Sequence, residues 1–219
     1  MTVRRTTQAA IEPDHLVVAA ASLASGVDWI ESGLGVRARP GGCHAAMGTH
    51  NALVSLGRRV YLEVIAIDPE SAAPARPRWF DLDDPALRAR LAEGPALIHW
   101  VARTQRIDAD AARLPELGPP MPMQRGEYSW RITVPGDGHR PGAGLVPTLI
   151  EWSDPARHPA DSLPASGLRL VALAGEHPEP APIRDALAAL GLADALKVSY
   201  GRTPRLAAMF ATPRGTMTL

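Results

Sequence analysis

The sequence is poor in cysteine, in lysine and in long apolar runs. Cys43 is the one cysteine among 219 residues, so no intrachain disulfide can form, and we expect a reducing compartment, the cytoplasm. Lys197 is the one lysine, and 23 basic residues balance 23 acidic ones to a formal net charge of zero. This charge balance lacks the basic footprint that nucleic acids or anionic membranes select. No run approaches the ~20 apolar residues of a membrane span. We therefore expect the protein to bind a small-molecule ligand, and neither a nucleic acid nor a membrane.

Several catalytic and cofactor motifs are also missing from the sequence. It contains no Gly-x-Ser-x-Gly elbow, no P-loop and no dinucleotide fingerprint, so no nucleotide cofactor is expected. Arg4 and Arg5 precede an apolar run at 16–24 that resembles a secretory signal peptide. Glu12 and Asp14, directly before that run, are wrong for such a signal. We therefore interpret residues 1–11 as a disordered tail.

A repeated plan of elements predicts the fold. Residues 12–70 show a strand, a helix that Ser22 caps and Gly35 ends, a Gly-rich passage, and strands near 51–56 and 60–67, which together indicate a βαβββ module. A shift of 84 residues brings the plan back over 96–160, after a Pro- and Ala-rich connector at 71–95. Residues 161–219 indicate a βαββ(β) extension of the same domain, a partial or third module. The predicted class is α+β: paired βαβββ modules forming a cup-shaped mixed sheet, with helices outside.

Ionisable side chains interrupt the apolar strands at matching positions of the two modules. His15 and His99, 84 residues apart, lie in the first strands, and Glu63 and Glu151 lie in the last strands. An ionisable group in a buried strand is costly unless it is paired or bound to a cation. Strand alternation predicts that all four side chains face the open side of the sheet. Two imidazoles and two carboxylates there suit a divalent metal such as Zn, Ni, Fe or Mn.

On these motifs the chain resembles glyoxalase-like proteins of the vicinal oxygen chelate superfamily. The resemblance covers about residues 13–160 and is carried by DHLVV at 14–18, GGCHAAMGTHNALVSLG at 41–57, YLEVIAIDP at 61–69, LIEW at 149–152 and RHPA at 157–160. It implies paired βαβββ modules forming a cup, with metal ligands on the first and last strands of a module. His15, Glu63, His99 and Glu151 fall on those positions. The chain shows no clear glutathione-binding set.

Further polar residues are candidates for contacts to a substrate. His44, Thr49 and Asn51 lie in or beside the Gly-bracketed loop, where turn chemistry and strand formation are the alternative explanation. His158 follows the Glu151 strand, with a surface-loop histidine as the alternative. Trp152 is either a core residue or a wall of the ligand site.

These observations support two hypotheses for function. In the first, a metal-dependent lyase, isomerase or dioxygenase acts on a small oxygenated substrate in the cup, with Glu63 and Glu151 as catalytic residues and one of them releasing the metal to act as general base. In the second, the same cup binds or sequesters a small molecule without metal, as bleomycin-resistance proteins of the superfamily do. A degenerate module used for protein contact is a third hypothesis. Exposed sheet edges permit a homodimer.

Overall fold

The computed structural model describes residues 10–219. The tail expected over residues 1–11 lies, for its first nine residues, outside this part of the chain. Within it, the first module contains one helix and four strands: β1 (Glu12–Ala19), α1 (Leu23–Leu34), β2 (Arg39–His44), β3 (Thr49–Ser55) and β4 (Tyr61–Ile67). Ser22 caps α1 through a capping box with Ser25, and Gly35 ends it in the left-handed conformation, which confirms the predicted helix boundaries.

The second module repeats the order of the first. The connector contributes a 3-10 turn (Trp79–Asp81) and α2 (Pro85–Glu93), which Asp84 caps. The second module then follows with β5 (Ala96–Arg103), α3 (Ile107–Ala111), β6 (Pro120–Arg125), β7 (Tyr128–Thr133) and β8 (Thr148–Trp152). The sequence predicts a helix over 108–117 in this module, but the structure divides that stretch into the short α3 and a separate 3-10 turn (Pro115–Leu117).

Eight strands form one mixed sheet in the order β2-β3-β4-β1-β5-β8-β7-β6. In each module the first strand pairs in parallel with the last, and β1 and β5 join the two modules as antiparallel neighbours. The two edge strands, β2 and β6, come into contact, so the sheet curls into a nearly closed cup. The predicted α+β cup of paired modules is confirmed.

The C-terminal segment folds as a second, smaller sheet. Its elements are α4 (Pro159–Ser162), β9 (Arg169–His177), α5 (Pro180–Ala189), β10 (Lys197–Tyr200), β11 (Arg205–Thr212) and β12 (Gly215–Thr218). The strand order is β10-β9-β11-β12, and β10 lies parallel and next to β9. In the two cup modules the corresponding second strand lies at the far edge instead. The segment therefore has a βαβββ order of elements without the pairing of a third module.

Two apolar clusters lie on opposite faces of the large sheet. Outside the cup, Leu16, Trp100 and Leu149 pack with helix residues and with the small sheet. Inside the cup, Val17, Val101 and aromatic residues of the connector form the second cluster. Within residues 10–219, no helix is both long and apolar enough to cross a membrane.

Candidate functional site

His15 and Glu63 form the centre of the site. They project into the cup from the neighbouring parallel strands β1 and β4, as the alternation of side chains predicted. His15 Nε2 lies 3.7 Å from Glu63 Oε2, and each side chain is about 5% exposed (5% and 6%). The Tyr61 ring stacks on the imidazole, with 4.6 Å between ring centroids. A carboxylate and an imidazole thus face each other in a water-poor environment.

Asp14 fixes the orientation of His15. His15 Nδ1 donates a hydrogen bond to Asp14 Oδ1 over 2.7 Å, and Asp14 is fully buried. Trp152 Nε1 and His158 Nε2 donate to the other carboxylate oxygen over 2.9 Å and 3.0 Å. Burial alone would raise the pKa of Asp14, but the hydrogen bonds from His15 and His158 outweigh it and lower that pKa. Asp14 is therefore a buried anion.

A β-bulge explains how adjacent residues reach the same site. The pairing of β1 with β5 shifts between Pro13 and His15, so Asp14 is an extra residue in the ladder. A regular strand would turn Asp14 and His15 to opposite faces. Asp14 was not predicted as a site residue because the bulge has no signature in the sequence.

Asn51 and Gly42 position Glu63 from the other side. Asn51 Nδ2 donates to Glu63 Oε1 over 2.5 Å, while Asn51 Oδ1 accepts the Gly42 amide hydrogen over 2.9 Å. A Cβ at Gly41 would lie 2.1 Å from Asn51 Oδ1, so β2 can approach this side chain only as glycine. The Gly-rich passage is thus an edge strand that holds Asn51 in place.

His44 lines the same cavity as a neutral imidazole. Its Nε2 faces two donors, Arg125 at 3.4 Å and Asn51 at 3.5 Å, so this nitrogen accepts, and Nδ1 donates to Thr49 Oγ1 over 3.1 Å. Burial, with a smaller contribution from the Arg125 charge, lowers the pKa of His44 to about 4. His44, Thr49 and Asn51 therefore do lie at the site, joined in one hydrogen-bonded chain.

The second-module pair does not join the first. His99 Nδ1 donates to the Gly144 carbonyl over 3.2 Å, and its Nε2 accepts from the hydroxyl and the amide of Thr148. Burial lowers the pKa of His99 to about 3, so the ring is neutral and has no free nitrogen. Glu151 is bonded to Arg131 and to the Ile107 amide.

The prediction that Glu151 faces the cup is wrong. Its strand neighbours Ile150 and Trp152 line the cup cavity, so alternation turns Glu151 to the outer face. There it lines a separate open cleft of about 660 Å³, together with Arg59, Arg103 and Arg131.

The expected four-ligand metal site is therefore not assembled. Within the part of the chain that the structure describes, no three His, Cys, Asp or Glu side chains are grouped as metal ligands. His15 and Glu63 supply two donors, but His99 has both nitrogens engaged and Glu151 lies on the other side of the sheet. The residues present do not fit a divalent cation.

Aromatic rings close the cup around these polar groups. The remaining cavity measures about 20 Å³, and its walls are His15, His44, Tyr61, Glu63, Trp79, Phe80, Arg125, Trp130, Ile132, Ile150 and Trp152. Trp79 and Phe80 come from the connector and stack on each other, with ring centroids 5.2 Å apart. A space of this size holds about one water molecule.

Only part of this site was predicted from the sequence. Trp152 lines the cavity, whereas His158 lies behind Asp14 with both nitrogens engaged and does not line the cup cavity. Asp14, Tyr61, Arg125, Trp79 and Trp130 were not predicted. For Arg125, the sequence offered no clear signal, because the two prolines of the segment before it indicate a loop.

The cup and its paired modules define the class of protein: a member of the vicinal oxygen chelate superfamily. Residues 14–191 match the glyoxalase-like domain family, and the chain belongs to this family.

Several solved structures are similar to this chain at low sequence identity. A hypothetical protein from Staphylococcus aureus is 12% identical with a TM-score of 0.66, covering 89% of this chain and 88% of that one. Methylmalonyl-CoA epimerase from Streptomyces coelicolor, in complex with 2-nitronate-propionyl-CoA, is 19% identical with a TM-score of 0.42, covering 67% of this chain and 100% of its own. The epimerase from Mycobacterium tuberculosis is 18% identical with a TM-score of 0.39, covering 69% and 94%. A comparison with curated proteins finds no match.

Proposed function

We propose that the chain is an isomerase or lyase that moves a proton on a small oxygenated substrate inside the cup. The observation that carries this proposal is the buried pair of His15 and Glu63, whose facing atoms lie 3.7 Å apart. Enzymes use imidazole and carboxylate as general acids and bases, and burial strengthens the electrostatic interactions that such groups make.

The hydrogen bonds around the pair assign its two roles. Asp14 occupies Nδ1 of His15, so Nε2 is the nitrogen available to exchange a proton on the Glu63 side. Asn51 holds one oxygen of Glu63 and leaves the other facing His15. In the proposed reaction Glu63 takes a proton from a carbon next to a carbonyl group, and the electron pair moves onto the carbonyl oxygen. His15, which enters the proposed reaction with a proton on each ring nitrogen, gives its Nε2 proton to the substrate. The proton taken by Glu63 then passes to that nitrogen, so both groups return to their starting states.

The substrate needs more room than the closed cup offers. Because the cavity is about 20 Å³, Trp79 and Phe80 must move aside before a small organic molecule can bind. Phe80 and the following Asp81 have φ angles of 61° and 59°, which are unfavourable for residues with a Cβ. The strained part of the connector is thus the part that fills the cup.

The proposed reaction runs through protein groups alone. A metal-dependent lyase or dioxygenase, as the family resemblance implies, would need ligands that His99 and Glu151 do not offer in this arrangement. No step is assigned to a cation for that reason.

Hydrogen–deuterium exchange on carbon tests the proposal. Pyruvate and dihydroxyacetone are small carbonyl compounds with exchangeable C–H groups, and proton NMR in D₂O follows the loss of their signals. We expect the protein to accelerate exchange of at least one of them, and Glu63→Gln to slow it at least about 100-fold, the usual effect of losing a general base. Glu93→Gln, on the exposed end of α2, is the matched control and should leave the rate unchanged. Exchange at the solvent rate with both compounds would contradict the proposal.

A binding protein is the second candidate. Five aromatic rings, from Tyr61, Trp79, Phe80, Trp130 and Trp152, line the cavity, and such walls are typical of sites that hold small apolar molecules. This candidate requires ligand binding, measured by calorimetry, with no product and no effect of chelators. The cytoplasmic location and the homodimer stay predictions.

A further inference from the structure

Two hydrogen-bond donors at the cup cavity lack acceptors. The Nε1 atoms of Trp79 and Trp130 are buried, and no partner for either is found among residues 10–219. Both residues line the cavity, and their whole-residue exposures are 3% and 4%. A buried indole N–H without an acceptor costs free energy, so tryptophans in such places usually have a partner. A ligand in the cavity would be the missing partner of Trp130, which lies on β7 and not on the connector that must move aside.

A buried positive charge lies beside the same cavity. Arg125, at the end of β6, is 8% exposed, and the described ion pairs join no carboxylate to it. Among residues 10–219, its NH1 donates to the neutral His44 alone, and its guanidinium lies 5.9 Å from the Trp130 ring centroid. Burial of an arginine without a carboxylate is costly. The side chain is therefore poised to bind an anion.

The neighbouring strand leaves space for this arginine. A Cβ on Gly42 of β2 would lie 3.0 Å from Arg125 Cγ and 3.1 Å from Cδ. A side chain at this position would therefore crowd the stem of Arg125 where the two sheet edges meet. Glu63, the carboxylate of the cavity, already has Asn51 and His15 as partners. The positive charge of Arg125 is therefore available to pair with an anionic group of a bound molecule.

We propose that the substrate of the cup is a small monocarboxylate, whose carboxylate group binds Arg125 and the indole N–H group of Trp130. This inference rests on the proposed function, because it places the reacting carbon of the same molecule next to His15 and Glu63. Arginine and oriented N–H donors recognise carboxylates through charge-assisted hydrogen bonds. A neutral molecule of the same size would leave the Arg125 charge without a counterion.

Titration of tryptophan fluorescence tests the inference. Sodium pyruvate carries the carboxylate, and dihydroxyacetone has the same number of non-hydrogen atoms without a charge; sodium chloride at equal ionic strength serves as the blank. We expect pyruvate to bind at least tenfold more tightly than dihydroxyacetone. Arg125→Gln should raise the Kd for pyruvate at least tenfold, which corresponds to about 1.4 kcal/mol. Trp130→Phe keeps the ring but removes the N–H, and should raise the Kd severalfold.

Control variants locate the binding. Arg131→Gln removes a charge from the outer cleft, and Arg202→Gln removes an exposed charge; both should leave the Kd unchanged. Arg125→Lys keeps the charge in case the glutamine variant does not fold, and should retain part of the preference for pyruvate. Equal affinity for the two compounds, or a loss of binding with Arg131→Gln instead of Arg125→Gln, would overturn the inference.

The titration separates this inference from the proposed function. In Glu63→Gln, which cannot take a proton from carbon, Arg125-dependent binding of pyruvate should persist. If pyruvate binds in this way but the wild-type protein does not accelerate its deuterium exchange, the proposed proton transfer is wrong and the carboxylate site is supported. If dihydroxyacetone exchanges while pyruvate neither binds nor exchanges, proton transfer stands and the carboxylate site is wrong.

Discussion

His158 donates a hydrogen bond from Nε2 to Asp14 Oδ2 over 3.0 Å, across 144 residues of the chain. The other ring nitrogen, Nδ1, accepts the Ala160 amide hydrogen and caps α4. The end of the second module thus holds the carboxylate that orients His15 in the first. His158 is therefore a positioning residue that acts on the site through Asp14. It also lines the outer cleft of Glu151, but both of its ring nitrogens are already hydrogen-bonded.

Asp14→Asn should weaken both stability and activity. The amide cannot accept from three donors with a full negative charge, and hydrogen bonds to a charged group contribute about 1.5–3 kcal/mol each. We expect the free energy of unfolding in urea to fall by about 2 kcal/mol or more, together with slower carbon exchange because His15 loses its orientation. The matched control is Asp185→Asn, on the exposed face of α5, which should change neither quantity. Equal stability of the two variants would show that Asp14 is not held as described.

Two buried histidines predict a loss of stability in weak acid. Burial lowers the pKa of His44 to about 4 and that of His99 to about 3, whereas both titrate near 6.5 in the unfolded chain. Between these values the unfolded state binds protons that the folded state does not. The free energy of unfolding should therefore fall as the pH drops from about 6.5 to about 4, by up to about 1.4 kcal/mol per pH unit for each histidine.

Urea unfolding at pH 7, 6, 5 and 4.5 measures this slope. His99→Gln should reduce it by about half, whereas His139→Gln, in a half-exposed loop side chain, should leave it unchanged. The lowered pKa of Asp14 contributes only below about pH 4, where its unfolded form begins to take up a proton. A flat profile between pH 6.5 and 4.5 would contradict the neutral, buried state of the two rings.

Chelation should not affect the folded protein. Both ring nitrogens of His99 are hydrogen-bonded, to Gly144 and to Thr148, and Glu151 lies outside the cup. We therefore expect EDTA to change the melting temperature by less than about 1 °C. Zn, Ni, Fe or Mn salts should give no saturable stabilisation, which would otherwise grow with concentration as RT ln(1 + [L]/Kd). Stabilisation by one of these ions that disappears in His99→Gln would restore the metal site that the sequence suggested.

Alanine substitutions at two glycines of α1 should change the free energy of unfolding in opposite directions. Gly33 has a helical backbone, and a Cβ added there would meet no other atom within 4 Å, so Gly33→Ala should raise the free energy of unfolding by about 0.5–1 kcal/mol. At Gly26 the new Cβ would lie 2.4 Å from Val64 Cγ1, so Gly26→Ala should lower stability by about 1–3 kcal/mol. Urea unfolding of both variants provides the check, and the same sign for both would show that α1 does not pack on β4 as described.

The alternation of side chains was sufficient to predict the first half of the site. His15 and Glu63 lie on strands whose opposite faces pack under α1. The sequence therefore showed which residues of each strand face the helix and which face the cup. On β8 both faces are buried: Leu149 packs outside, while Ile150 and Trp152 line the cup. When both faces of a strand are apolar, the sequence does not show which alternate residues point into the cup. Glu151 was placed on the wrong face for this reason.

The edge strands show a second limit of sequence reasoning. β2 contains Pro40, Gly41 and Gly42, and β6 contains Pro120 and Pro122, so propensity indicates loops in both places. Proline and glycine are nevertheless tolerated at sheet edges, where one side of the strand needs no ladder partner. These two strands bring Asn51 and Arg125 into place. The contacts that assemble the site thus come from the segments with the weakest strand signal.

The pair of stacked rings from the connector sets the affinity of any molecule that enters the cup. A ligand must first displace Trp79 and Phe80, so its observed dissociation constant equals the intrinsic one divided by the fraction of molecules with those rings withdrawn. If one molecule in a hundred is open, an intrinsic Kd of about 10 μM is measured as about 1 mM. Binding strength in this protein is therefore governed as much by how tightly the chain occupies its own site as by the contacts that the guest makes.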